Sequence, residues 1–299
     1  MSSIRAKLIR SISSAFLQRY DAASLDIEDA RRKTALLGRL TLTAFGVDVE
    51  ATKIAGMHAE FLRPKDAEPG RLLLYLHGGA YILGGCDLHR QVVSHIARAA
   101  GMDALLPEYR LAPEHRFPAA VDDAVAAYKA VLATGIEAEN VFLAGDSAGG
   151  GLAVAALLAL RDAGEPLPAG AVLLSPFLDA TGSGDSMRTR ASQDPWFHAT
   201  DLPVITAHYC DEHQRRFPLV SPVFADVEGL PPMYIQVGDD EILLSDSERF
   251  ADALIAAGIE VKLDVWPEMW HVFQMFIGKM PESRRAIDDI GAYIRSRKV

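Results

Sequence analysis

Asn140-Val141-Phe142-Leu143-Ala144-Gly145-Asp146-Ser147-Ala148-Gly149-Gly150-Gly151-Leu152 is the stretch from which the rest of the chain is read. An apolar run ends in glycine, a lone serine follows, and the next turn, backed by Ala153-Val154-Ala155-Ala156, is built of small residues. Glycine two positions either side of Ser147 marks points where a strand and a helix pass too closely for a Cβ. The stretch predicts a strand, a nucleophile elbow and a helix, with the serine hydroxyl raised over N–H groups that lack intrahelical partners. A glycine-rich turn of this kind also binds phosphate or merely reverses the chain, so its neighbours decide between these readings.

Upstream, Arg71-Leu72-Leu73-Leu74-Tyr75-Leu76-His77 reads as a buried strand running into Gly78-Gly79-Ala80-Tyr81. An acyl-transfer serine needs fixed N–H donors aimed at one point, because the tetrahedral intermediate carries a full negative charge on oxygen. A glycine-rich loop after a neighbouring strand supplies such donors. Further strands are expected at Val49 to Ile54, Met57 to Arg63 and Asp103 to Pro107, and after the elbow at Ala171 to Leu174, Pro232 to Gly238 and Val261 to Val265. Helices fall between most of them, and this alternation predicts an α/β chain: a mostly parallel sheet with helices on both faces and ligands bound at the carboxyl ends of the strands.

The 299 residues allow one large α/β domain or two smaller ones, and are enough to bury a substantial core. A net charge of −10 argues against a nucleic-acid partner. Cys86 and Cys210 form no C-x-x-C, and the nine histidines form no H-E-x-x-H, so neither a disulfide framework nor a catalytic metal is expected. No apolar run is long enough to cross a bilayer, and the N-terminus lacks a signal-peptide core, so a cytoplasmic protein without stable membrane insertion is expected. Ile4, Leu8, Ile12 and Phe16 recur every four residues, and a second amphipathic segment runs from Ile27 to Leu42. Both predict helices whose apolar positions form a packing face; a sharper reading, favoured by Arg5, Lys7, Arg10 and Arg19, is an interfacial membrane helix.

Taken together, His77-Gly78-Gly79-Ala80-Tyr81, Tyr109-Arg110-Leu111-Ala112-Pro113-Glu114 with Phe117-Pro118-Ala119-Ala120, and Gly145-Asp146-Ser147-Ala148-Gly149-Gly150 resemble the hormone-sensitive-lipase-like (bacterial family IV) carboxylesterases of the α/β-hydrolase fold. The resemblance runs over roughly residues 55 to 299 and departs at Ala80, where the family's oxyanion loop has a third glycine. It implies an eight-stranded, mostly parallel sheet with a helical cap made of residues 1–45 and an insertion at about 180–222 in a catalytic domain of residues 46–299. It also implies an oxyanion hole from Gly78, Gly79, Ala80 and Ala148, and a substrate pocket lined by Tyr81, Trp196, Phe197 and Tyr209. His77, Arg110 and Glu114 read as scaffold.

A serine hydroxyl needs a histidine to take its proton and a carboxylate to hold that histidine in the right tautomer. In this fold the order along the chain is serine, acid, histidine. His198, His208 and His213 follow Ser147 but precede the acidic candidates; His271, after the last strand and among aromatics, is the expected base. Three carboxylates stand in a row at Asp239-Asp240-Glu241. Laid against the family's Asp-Pro-Leu pattern, the stretch places Glu241 at the catalytic position, with Asp240 as runner-up and Asp246 supporting the loop; Asp239 and Asp240 otherwise read as solvated. The expected activity is cofactor-free hydrolysis of short- to medium-chain carboxylic esters through an acyl-enzyme. A lactone hydrolase with the same triad is the alternative, and a non-catalytic ligand receptor is the alternative of another class. A homodimer through an edge strand or the last helix is compatible with the residues but not required by them.

Overall fold

The computed structural model describes residues 2–17 and 24–297. Its strands are β1 (Val47–Ile54), β2 (Met57–Pro64), β3 (Leu72–Leu76), β4 (Asp103–Pro107), β5 (Val141–Asp146), β6 (Gly170–Leu174), β7 (Met233–Gly238) and β8 (Val261–Trp266). The helices are α1 (Ile4–Leu17), α2 (Ile27–Arg39), α3 (Cys86–Ala100), α4 (Ala119–Leu132), α5 (Ala148–Asp162), α6 (Ser186–Thr189), α7 (Leu202–Tyr209), α8 (Leu244–Ala256) and α9 (Pro281–Ser296). All eight strands join one sheet in the order β1-β2-β4-β3-β5-β6-β7-β8. The β1–β2 and β2–β4 pairs are antiparallel; the other five are parallel.

Because side chains alternate along a strand, each central strand feeds two cores. Leu72, Leu74, Leu143 and Leu173 pack with α4, α5 and α8 on one face. Leu73, Tyr75, Phe142 and Val172 pack with α3 and α9 on the other. With both faces covered, the central strands β3, β5 and β6 are apolar up to their carboxyl ends, where the polar work is done. Arg110, an expected scaffold residue, holds Asp123 at the start of α4 at 2.7 Å.

The first two helices are pinned by polar groups. The Ser2 N–H and Ser3 N–H donate to Glu268 (2.8 Å) and Glu282 (2.7 Å), and Arg10 engages Asp240 and the Gln193 carbonyl. On α2, Arg31 donates to the Ile82 and Ala112 carbonyls (2.8 and 2.7 Å) and to Glu114. The packing face expected on α1 is corrected: Ile4, Leu8 and Ile12 are 87%, 61% and 62% exposed, whereas Ala6 is 1% exposed. The helix turns its Ala6 and Ile9 side toward Trp270 and Phe273, because the serines and Arg10 fix its rotation. The side chain of Phe16, and Arg19, lie outside the described residues.

Candidate active site

Ser147 sits between β5 and α5 at φ 52° and ψ −123°, a conformation a non-glycine residue rarely adopts. Such a residue costs on the order of 1–3 kcal/mol and persists only where its surroundings over-determine it. Here the Ser147 N–H donates to the Leu174 carbonyl (2.8 Å), and its own carbonyl accepts from Gly151 (3.1 Å) and Phe177 (2.9 Å). The flanking glycines are demanded by space. A Cβ on Gly149 would lie 2.0 Å from the Leu76 carbonyl oxygen, and one on Gly145 would lie 2.3 Å from that of Gly149.

The loop after β3 is tied to the elbow by Asp146. Its carboxylate is buried and accepts from the Tyr75 hydroxyl (2.8 Å) and the Gly78 N–H (3.0 Å), with His89 Nε2 at 3.4 Å. Burial pushes its pKa upward, but the His89 ring, the Tyr75 hydroxyl and the Gly78 N–H outweigh burial and hold it below the usual carboxylate value. The expectation for Gly78 is therefore corrected: its N–H is spent on Asp146. The N–H groups of Gly79 and Ala80 make no hydrogen bond among the described residues, and Ala148 opens α5, where the first N–H groups have no helical partner. Ala80 takes φ 56°, the left-handed region that explains a glycine in related loops. His77 is fully buried, hydrogen-bonded to the Gly78 carbonyl (2.8 Å) and stacked on Tyr109. Burial, reinforced by His89, pushes it down to about 3, so it stays neutral.

After β7 and β8, Glu241 Oε2 lies 2.7 Å from His271 Nδ1, both side chains buried. With the carboxylate accepting, Nδ1 carries the proton and Nε2 keeps a lone pair. Glu241 Oε1 accepts from the Gly238 N–H (2.7 Å) and the Ser175 hydroxyl (2.8 Å), and Ser175 Oγ in turn accepts from the Val272 N–H (3.0 Å). Ser175 at the end of β6 thus joins the acid to the loop bearing His271, and sequence reasoning gave it no role. Its only signal was a polar residue at the carboxyl end of a parallel strand. The solvated reading of the two preceding acids is corrected: Asp240 pairs with Arg10, and Asp239 accepts from the Glu268 N–H at 2.6 Å. Asp246 accepts from the Leu178 and Asp179 N–H groups (2.9 and 3.0 Å).

Ser147 and His271 line one cavity of about 50 Å³, together with Ala80, Tyr81, Ala148, Phe197 and Tyr209. Phe177, Leu202, Ile205, Ile242 and Leu243 complete its apolar wall, and none of these was singled out from the sequence. The Tyr81 and Tyr209 rings stack at 3.7 Å. Phe197 sets its ring edge-to-face on His271 at 5.0 Å. Trp196 is corrected: it is absent from the cavity wall and packs behind His271 against Phe276. Asp194 fixes this segment by accepting from the Trp196, Phe197 and Ile242 N–H groups at 2.8, 3.0 and 2.9 Å.

Among the described residues, one trio gathers metal-type donors, His58, Glu60 and Cys86. It shares no residue with the cavity, and Arg90 already engages Glu60 through two nitrogens.

A family model described as the alpha/beta hydrolase fold matches residues 73–275. An acetyl-hydrolase of Streptomyces hygroscopicus is 48% identical over 238 residues, 80% of this chain and 79% of that protein. An esterase of Acinetobacter venetianus is 36% identical over 84% of this chain and 82% of its own length. Among solved structures, an esterase from the bacterial hormone-sensitive lipase family superposes with a TM-score of 0.94 at 39% identity, covering 99% of both chains.

Proposed function

This chain belongs to the α/β hydrolase family, among its bacterial hormone-sensitive-lipase-like esterases, and from that premise we propose that it is a serine carboxylesterase acting on short-chain esters. The observation that carries the reading is the Glu241–His271 pair, 2.7 Å apart, on the wall of the cavity that Ser147 also lines. His271 Nε2 takes the Ser147 proton as Oγ attacks the ester carbonyl. The N–H groups of Gly79, Ala80 and Ala148 hold the developing oxyanion. As the C–O bond breaks, the imidazolium returns the proton to the leaving alcohol. Water, deprotonated by the same nitrogen, then attacks the acyl-enzyme, and the carboxylic acid leaves with Ser147 restored. Glu241 stabilises the imidazolium and fixes its tautomer without taking the proton.

A cavity of about 50 Å³ with apolar walls holds a few carbon atoms, which favours acetyl to butyryl groups over long chains. The acetyl-hydrolase name of one relative agrees with that choice. We also propose that α1 and α2, with the segment 180–222 that carries Phe197 and Tyr209, act as the cap over this cavity.

The test is a series of p-nitrophenyl esters assayed on the wild type and Ser147→Ala, with fluorophosphonate labelling alongside. Turnover and labelling are expected to vanish in the variant while its unfolding transition is retained, and kcat/KM is expected to fall beyond about four acyl carbons. A variant that still turns over at near the wild-type rate would reject Ser147 as nucleophile. Failure of the wild type to react with the label would favour a ligand receptor.

A further inference from the structure

Among the described residues, twelve large apolar side chains stand exposed, and eight of them belong to residues 4–45. Three, Ile4, Leu8 and Ile12, form one stripe along α1, 87%, 61% and 62% exposed. The helix carries Arg5, Lys7 and Arg10 and not one acidic residue, in a chain whose net charge is −10. Arg10 is committed to Asp240, whereas Arg5 and Lys7 are exposed. At 100° per residue these two cations fall on either side of the stripe. Water offers such a face no compensation, and three large aliphatic side chains aligned on one helix surface ask for an apolar partner.

We propose that α1 docks this face reversibly on an anionic phospholipid bilayer, with Ile4, Leu8 and Ile12 entering the boundary between headgroups and acyl chains and Arg5 and Lys7 against lipid phosphates. The charge pattern selects this occupant. A second copy of the chain meeting the stripe about a two-fold axis would set Arg5 and Lys7 against their own counterparts, whereas a negative surface attracts both. No described helix is long and apolar enough to cross a membrane, so the attachment is peripheral. Through Arg10 the docked helix would hold Asp240, the residue before Glu241, about one helix diameter from the lipid. The inference does not rest on the reaction proposed above, because its test reads binding and not turnover.

The experiment is flotation of the full chain with large unilamellar vesicles of phosphatidylcholine alone or mixed with phosphatidylglycerol. Partition is expected onto the anionic vesicles and to weaken at high salt. It should fall by about tenfold or more in the triple variant Ile4→Ser/Leu8→Ser/Ile12→Ser. If that variant loses α1 by circular dichroism, Arg5→Glu/Lys7→Glu decides, because it keeps the stripe and should lose the anionic preference by a similar factor. The proposal is overturned if wild-type protein stays with the aqueous fraction, or if neither variant differs from it. Light scattering that finds a dimer, reduced to monomer by the serine substitutions, assigns the stripe to a second copy instead.

Discussion

Ser147 follows β5 and Glu241 follows β7, two strands apart in one sheet, and they are positioned by different means. At the elbow the backbone does the holding: Ser147 is forced to φ 52°, and carbonyl oxygens fill the space a Cβ would need on Gly145 or Gly149. At Glu241 hydrogen bonds do it, from the Ser175 hydroxyl, the Gly238 N–H and the His271 ring to the two carboxylate oxygens. A site held by backbone contact should fail all at once when crowded, whereas one held by several hydrogen bonds should degrade in steps.

The largest effect expected from that difference is at Gly149→Ala. The added methyl meets backbone at 2.0 Å, so strand and helix must part; the variant should lose all esterase activity and most of its soluble yield. Recovery of a folded, active Gly149→Ala enzyme would break the distinction. Next comes Glu241→Gln, which keeps the shape but presents either a neutral acceptor or a donor to His271; kcat should drop by about 10⁴-fold. Asp240→Asn should cost under about threefold, because it loses only a partly exposed ion pair with Arg10. The reverse ranking in a p-nitrophenyl acetate assay would move the acid to Asp240.

A smaller step is expected from Ser175→Ala. It strips one donor from Glu241 and leaves the Val272 N–H without an acceptor, costing about 1–3 kcal/mol of stability by denaturant titration, with a tenfold-order loss in kcat. The smallest effect on turnover is at Asp246, which is read instead through stability: burial raises its pKa to about 8, with the Asp179 charge adding to it. A carboxyl with a folded-state pKa above its unfolded value stabilises the fold while protonated, so its contribution is lost as pH rises from about 4 towards 8. Asp246→Asn imitates the protonated form, so thermal melts of variant and wild type should agree near pH 4 and increasingly favour the variant towards pH 8. Parallel curves across that range would remove Asp246 from the titration.

The same contrast explains what could be read from the sequence. The elbow is local: thirteen consecutive residues carry their own steric constraint, and the strand and helix stand where the stretch from Asn140 to Leu152 predicts them. The β1–β2 hairpin around Ala55 and Gly56 was likewise legible from alternation and a turn glycine. What escaped depends on partners remote in sequence. Ser175 gains its role only because β6 lies beside β7, and Gly78 loses its expected role to a carboxylate 68 residues away. Trp196 and Phe197 are adjacent, yet one enters the cavity wall and the other does not, because Asp194 fixes the turn between them through backbone hydrogen bonds. On α1, four-residue spacing identified the helix but not which side would face the core, since rotation is set by Ser2, Ser3 and Arg10.

Those three residues reach carboxylates between 230 and 279 positions away. During synthesis α1 leaves the ribosome well before the carboxylates that seat it, Asp240, Glu268 and Glu282. The helix is therefore made long before it can find its place, and until those carboxylates emerge the nascent chain carries it as a loose, positively charged arm.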